Sequence, residues 1–294
     1  MKQLLILSGK GGTGKTTVAS AFIRLSQAKV YADCDVDAPN LHLIMKETVA
    51  PLRRDYFGMP KATIDPQSCI NCGKCMEHCR FDAITANDKT HIVDHFACEG
   101  CGVCEFVCPV GAVSLCSYVA GDLMLFKDEQ KVFSTAQLKM GNGTTGLLVS
   151  EVKKQMKEEA TKDADLAIID GSPGIGCPVI ASLSGAEMVL IVAEPSVSGI
   201  SDMERVIIVA RKFGTQIAVC INKSDTNEAN SKKIEGYCET ENIPFVGSIP
   251  FDPLAVRAVN SGLSIVEIDC PSGIAVKDVY KKSMQILFPD GRNN

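Results

Sequence analysis

Two cysteine runs in the middle of the chain restrict its folding more than any other feature. The first is Cys69-Ile70-Asn71-Cys72-Gly73-Lys74-Cys75-Met76-Glu77-His78-Cys79. The second is Cys98-Glu99-Gly100-Cys101-Gly102-Val103-Cys104-Glu105-Phe106-Val107-Cys108-Pro109. Each has the C-x2-C-x2-C-x3-C spacing with which bacterial iron–sulfur clusters are held, and thiolates suit iron because both partners are soft. The chain has 14 cysteines; nine fall within 61–120, and eight of those fit the two runs. In a chain with no secretory features, clustered C-x2-C spacing means metal rather than disulfides. Zinc is the competing metal, but four-cysteine zinc sites rarely use such a run twice.

A second motif lies upstream. Gly9-Lys10-Gly11-Gly12-Thr13-Gly14-Lys15-Thr16, continued by Thr17, fits G-x-x-x-x-G-K-S/T. In such a loop the backbone N–H groups curl around phosphate oxygens. The lysine reaches the β- and γ-phosphates, and the last hydroxyl meets Mg²⁺. The context fits: residues 3–7 read as a buried strand, and 15–26 read as a helix with Val18, Phe22 and Leu25 at helical spacing. That helix adds its positive N-terminal end to the phosphate site. The N-terminal apolar run stops at the glycine loop, so it reads as a core strand and not a leader peptide.

Further strands are predicted at 29–32, 165–169, 188–193, 216–221 and 245–249, with helices at 148–159, 201–213, 230–241 and 272–287. Alternation of strands and helices predicts a doubly wound α/β fold, a mostly parallel sheet covered on both faces. Residues 61–120 break the rhythm and repeat internally, 65–84 matching 94–113 in spacing. They read as an insertion into a discontinuous domain of residues 1–60 and 121–294. After it, 123–126 and 132–138 read as a return hairpin, and Gly141-Asn142-Gly143 as a turn.

The K-G-G-x-G-K-T form, with Lys10 as a second lysine, resembles the deviant Walker loop of the MinD/ParA/Mrp P-loop ATPases and the nitrogenase iron protein. The resemblance implies Mg-dependent ATP hydrolysis, with two subunits sandwiching two ATP molecules. Lys10 would offset phosphate charge from across the interface. Asp33-Cys34-Asp35-Val36-Asp37-Ala38-Pro39-Asn40 resembles the first switch of that superfamily. By that match Asp35 positions the attacking water and Asp33 supports Mg²⁺. Residues 165–174, ending Asp170-Gly171-Ser172-Pro173-Gly174, resemble a Walker B strand that brings Asp170 to the metal beside Thr16. Asn222-Lys223-Ser224-Asp225 and Ile249-Pro250-Phe251-Asp252-Pro253 resemble base-binding segments, implying Asn222, Pro250 and Asp252 as ATP contacts. The implied catalytic set is Lys10, Lys15 and Asp35.

The insert resembles bacterial two-cluster ferredoxins, in which the fourth cysteine of each run ligates the other cluster. The resemblance implies one [4Fe-4S] cluster on Cys69, Cys72, Cys75 and Cys108, and another on Cys98, Cys101, Cys104 and Cys79. Arg80 departs from the proline expected after Cys79, whereas Pro109 follows Cys108 as the pattern requires. Cys177 is a candidate additional ligand, because the nitrogenase iron protein places a cluster cysteine in a similar region; packing at a turn is the alternative. Taken over nearly its whole length, the chain resembles MinD-type ATPases carrying a ferredoxin insertion.

Net charge of −5 in 294 residues argues against a nucleic-acid partner. No apolar run has the length of a membrane span. Residues 278–288 suit a last packed helix followed by a polar tail, 289–294, so a cytoplasmic protein without a membrane anchor is expected. Residues 61–120 carry four Lys or Arg against seven Asp or Glu, so a docking partner would present a basic face. The expected assembly is a homodimer or a heterodimer with a paralogue, serving a redox or apo-metalloprotein acceptor. Three readings stay open: ATP-driven iron–sulfur or metallocluster assembly and transfer, taken first; ATP-gated low-potential electron donation; and a positioning scaffold with structural clusters.

Overall fold

The computed structural model describes residues 1–47 and 49–291, so the last three residues of the polar tail lie outside it. Strand β1 (Lys2–Leu7) runs into the glycine loop, and helix α1 (Lys15–Ser26) leaves it. Then come β2 (Val30–Asp33), the short helix α2 (Leu41–Met45) and the edge strand β3 (Leu52–Phe57). The cysteine-rich segment holds β4 (Lys61–Ile64), α3 (Lys74–Glu77), β5 (Ile84–Ala86), β6 (His91–Val93), α4 (Val103–Phe106) and β7 (Val113–Cys116). It is followed by β8 (Val119–Lys127), β9 (Val132–Leu138), α5 (Thr145–Glu159), β10 (Leu166–Asp170) and α6 (Cys177–Leu183). Next are β11 (Met188–Ala193), α7 (Val197–Arg211), β12 (Gln216–Asn222), α8 (Glu228–Thr240) and β13 (Phe245–Ile249). Helices α9 (Pro253–Asn260) and α10 (Pro271–Leu287) complete the chain.

The main sheet has the order β13-β12-β11-β1-β10-β2-β9-β8-β3. Its strands are parallel from β13 through β9; β8 returns antiparallel, and β3 pairs antiparallel with β8. Alternation along β1 divides the core. Leu4 and Ile6 pack with Val18 and Phe22 of α1 and with Val276 and Val279 of α10. Leu5 and Leu7 face the other way, toward Leu148 and Val152 of α5 and Val206 of α7. Both faces are covered, which is why the central strands are apolar at nearly every position.

The cysteine-rich segment leaves the sheet at Phe57 and rejoins it at Val119, and those two residues are paired neighbours. Its ends therefore meet, and the sheet closes without it. The segment forms two small antiparallel sheets, β4 with β7 and β5 with β6, around a core that includes Ala62, Ala83, Ile84 and Val113.

Helix α7 starts at Val197, earlier than predicted, because the Ser196 hydroxyl accepts the Gly199 N–H at 3.1 Å. Helix α8 likewise starts two residues early, behind an Asn227 cap on the Asn230 N–H at 3.0 Å. Strand β3 was missed because most of its residues are exposed and its pairing is long-range. No helix among the described residues is long and apolar enough to cross a membrane.

Candidate nucleotide and iron–sulfur sites

The glycine loop joins β1 to α1 at the C-terminal edge of the parallel strands. Above it lies a cavity of about 650 Å³, lined by Ser8, Gly11, Gly12, Thr13, Gly14, Lys15, Thr16, Thr17, Asp35, Asn40, Leu43, Ile44, Pro173, Val259, Asn260 and Gly262. A larger cavity of about 850 Å³, between the C-terminal ends of α1 and α10, contains none of the predicted site residues. Gly14 has φ +91°, and a Cβ there would lie 2.2 Å from the Asn222 amide nitrogen, so both conformation and packing demand glycine. Gly9 packs against Asp202 and Lys10 points away, so neither lines the cavity.

Three ionisable groups meet beneath the loop. Lys15 Nζ lies 2.5 Å from Asp170 Oδ1, both groups buried. Asp33, fully buried beside them, accepts backbone N–H bonds from Asp35, Asn40 and Leu41, each at 3.0 Å. Burial, and then the Asp170 carboxylate, push Asp33 up to about 7 against the pull of Lys15. Burial lowers Lys15, but Asp170 and Asp33 outweigh it and hold the ammonium above its ordinary value. Burial also raises Asp35, with Lys15 opposing. Asp170 Oδ2 and Thr13 Oγ1 are buried with no hydrogen-bond partner among the described residues. A buried carboxylate oxygen left bare is costly, and a cation, or water held by one, would satisfy it.

Lys10 is tied within its own chain. Its Nζ lies 3.0 Å from Glu194 Oε2 and donates to the Ser196 and Ser198 hydroxyls at 3.0 and 3.3 Å. Lys223 lies 3.6 Å from the other Glu194 oxygen and donates to the Gly12 carbonyl at 2.9 Å. Partial burial pushes Glu194 up, yet the two lysines hold it below the usual carboxylate range. The sequence did not reveal this Lys10–Glu194–Lys223 bridge, whose members are brought together only by the sheet order.

None of the three predicted base contacts lines the cavity. The Asn222 amide donates to the Thr13 carbonyl at 2.7 Å. Asp252 caps α9 through the Leu254 N–H at 2.9 Å and also accepts from Ser272. Pro250 ends the segment after β13, and the cavity wall on that side comes instead from Val259, Asn260 and Gly262.

The eight run cysteines gather around two small cavities in the insert. Cys69, Cys72, Cys75 and Cys108 line one; Cys79, Cys98, Cys101 and Cys104 line the other. Each set takes three thiols from one run and the fourth from the other, the crossing that the resemblance implies. Thr90 and the Asn71 N–H hold the Cys69 thiol below its ordinary value. Burial pushes Cys108 up, but the N–H groups of Val110, Ala112, Val113 and Gly111 prevail and hold it low. Burial raises Cys75 and Cys104. Among the described residues, no three His, Cys, Asp or Glu side chains converge as a single metal ion requires. Sets of thiols spread around a cavity suit a polynuclear cluster better than one ion. His78 bonds the Lys74 carbonyl, and His95 lies edge-on to Tyr118; the histidine that lines a cysteine cavity is His91, which sequence reasoning passed over.

The loop between β9 and α5 touches the insert: a Cβ on Gly141 would lie 2.6 Å from the Phe96 ring. The first turn of α5 touches α6, where a Cβ on Gly146 would lie 3.0 Å from the Cys177 Cβ. Cys177 is exposed, as the first residue of α6.

The chain is 28% identical over 300 residues to Uncharacterized protein MJ0578 of Methanocaldococcus jannaschii, covering 97% of each chain. It is 33% identical over 106 residues to Uncharacterized ferredoxin MJ0155 of the same organism, spanning 35% of this chain and 70% of that one. In fold it is similar to the septum site-determining protein MinD complexed with Mg-ADP from Pyrococcus horikoshii, with TM-score 0.60, 18% identity and 99% of both chains covered. The model for the CobQ/CobB/MinD/ParA nucleotide-binding domain matches residues 4–265, so the chain belongs to that family.

Proposed function

We propose that this protein is a Mg-dependent ATPase carrying two [4Fe-4S] clusters, in which nucleotide state gates electron delivery from the clusters to an acceptor. The observation that carries the reading is the pair of crossed four-thiol cavities in an insert whose Phe96 packs on the loop leading into α5, the helix that packs in turn against Cys177. Cluster assembly and transfer, the first reading from sequence, is less well served. Each cavity draws on both cysteine runs, and Cys75, Cys98 and Cys104 are buried, so releasing one cluster would open the other.

ATP is the substrate. The N–H groups of the loop cradle its phosphates, and Lys15 exchanges Asp170 for the β- and γ-phosphates. Thr16 and the bare Asp170 oxygen would hold Mg²⁺, with Asp33 holding the surrounding backbone. Bound Mg²⁺ supplies charge neutralisation for phosphoryl transfer. Asp35, on the cavity wall, orients the attacking water. Asn222 shapes the loop, and Asp252 steadies the helix that supplies the base-side wall. Lys10 leaves Glu194 and Ser196 to reach a second copy's ATP. When bound, the clusters supply one-electron storage.

Anaerobic reconstitution should give about eight irons per chain, four in each of two clusters, with ATP hydrolysis lost in Lys15→Ala. Absence of iron from the reconstituted parent would end the reading. The exposed Cys177 favours a second reading, a further shared or labile cluster. Under the main reading Cys177→Ser leaves iron unchanged; loss of iron beyond the two-cluster complement would favour the second.

A further inference from the structure

The two cysteine cavities are related through the internal repeat, at an offset of 29 positions. Under that offset Cys69, Cys72 and Cys75 answer to Cys98, Cys101 and Cys104; Ala112 and Val113 answer to Ala83 and Ile84. The linings part at three chemically weighty positions. Where one cavity has His91, the other has Ala62; where one has Ile70, the other has Glu99; where one has Lys74, whose positive charge acts in the same direction as a donated hydrogen bond, the other has Val103.

His91 is only 4% exposed, and its ring Nδ1 has no hydrogen-bond partner among the described residues. A buried imidazole nitrogen without a partner is costly, and the cavity it lines contains four thiols. The other cavity has a methyl group at that place and a carboxylate at its rim. One cation lies near it: buried Lys61 donates to the Cys98 carbonyl, not to a sulfur. Glu99 lines that cavity, whereas Lys61 does not. Hydrogen bonds to cluster sulfur raise a reduction potential because they stabilise the more negative, reduced form, and net charge and burial act alongside them.

We propose that His91 donates a hydrogen bond to the cluster held by Cys69, Cys72, Cys75 and Cys108, and that this cluster has the higher potential of the two. One electron taken up from an external one-electron donor reduces that cluster from the 2+ to the 1+ state, with no bond made or broken. The pair is then an ordered relay and not two equivalent stores. The inference rests on the reading that clusters fill these cavities.

The test is a potentiometric titration of the full-length reconstituted protein with dithionite, followed by electron paramagnetic resonance, with iron and sulfide measured on every sample. The parent should titrate in two resolved steps. His91→Leu should lower the upper step by at least about tenfold in its reduction equilibrium, about 59 mV for one electron, and leave the lower step in place. His91→Gln, which keeps an N–H donor, should restore most of the shift. If His91→Leu fails to assemble, Glu99→Gln serves: it should raise the lower step and narrow the gap. Coincident steps in the parent, a shift confined to the lower step in His91→Leu, or no shift in either variant would overturn the assignment. Absence of iron and of cluster signal from the parent would instead overturn the cluster reading, and the assignment with it.

Discussion

Lys15→Ala should destabilise the protein as well as silence it, and the loss should grow with pH. Lys15 is the only cation in direct contact with the buried Asp170, at 2.5 Å, among the described residues. Removing one partner of a buried ion pair costs about 3–5 kcal/mol. Against a total stability of roughly 5–15 kcal/mol, that lowers the folded-to-unfolded ratio by about two to three and a half decades. Part of the cost is relieved by a proton. Asp33 already stands near 7, pushed up by burial and by Asp170 and pulled down by Lys15. Its folded pKa exceeds its unfolded one, so the folded state binds more protons between about pH 4 and 7, and stability falls as pH rises through that window. Without Lys15 the downward pull is gone and the window extends upward. The variant should therefore lose most at pH 8 and least at pH 5.5. Urea unfolding followed by far-UV circular dichroism at both pH values reads this, with the slope in denaturant unchanged. Lys15→Ala with Asp170→Asn, which removes the stranded charge, should recover much of the loss. A single variant within 1 kcal/mol of the parent at pH 8, or a loss independent of pH, would refute the reasoning.

Under the proposed crossed ligation, Cys108→Ser and Cys72→Ser should damage the same cluster, and Cys79→Ser and Cys101→Ser the other; spectra in which Cys79→Ser matches Cys72→Ser would contradict it. Glu194→Gln should free Lys10 and speed ATP turnover by up to about fivefold, the equivalent of a partly exposed ion pair worth up to about 1 kcal/mol. Turnover unchanged or slowed, measured at saturating ATP, would mean that the bridge supports the active loop. Gly141→Leu, forced against Phe96 at φ +78°, should cost about 1–3 kcal/mol of packing and weaken the nucleotide dependence of cluster reoxidation while leaving hydrolysis in place. Undiminished coupling in that variant would exclude this loop as the link.

The parts legible in sequence were those written locally. The glycine loop and the cysteine runs have chemistry fixed by spacing over a dozen residues, and the sheet follows from fully apolar strands such as Leu166–Asp170. What was missed depends on distant segments meeting. Glu194 reaches Lys10 only because β11 lies beside β1. Asn222 backs Gly14 across the width of two strands, so its proximity was expected but its grip on the Thr13 carbonyl was not. His91 lies between the two runs with nothing local to mark it, and only the folded repeat brings it into a cysteine cavity. The early starts of α7 and α8 were in principle readable, since Ser196 and Asn227 are good cap residues in the right place.

The central claim, that ATP gates electrons and leaves the clusters in place, is tested most directly by anaerobic stopped-flow. Reduced, reconstituted protein is mixed with a one-electron acceptor and, in parallel, with an apo iron–sulfur acceptor, under ATP, ADP or no nucleotide. Fast reoxidation of cluster absorbance with ATP alone, with all iron retained, is the predicted result. Iron appearing in the apo-acceptor only with ATP would contradict it and establish cluster delivery instead.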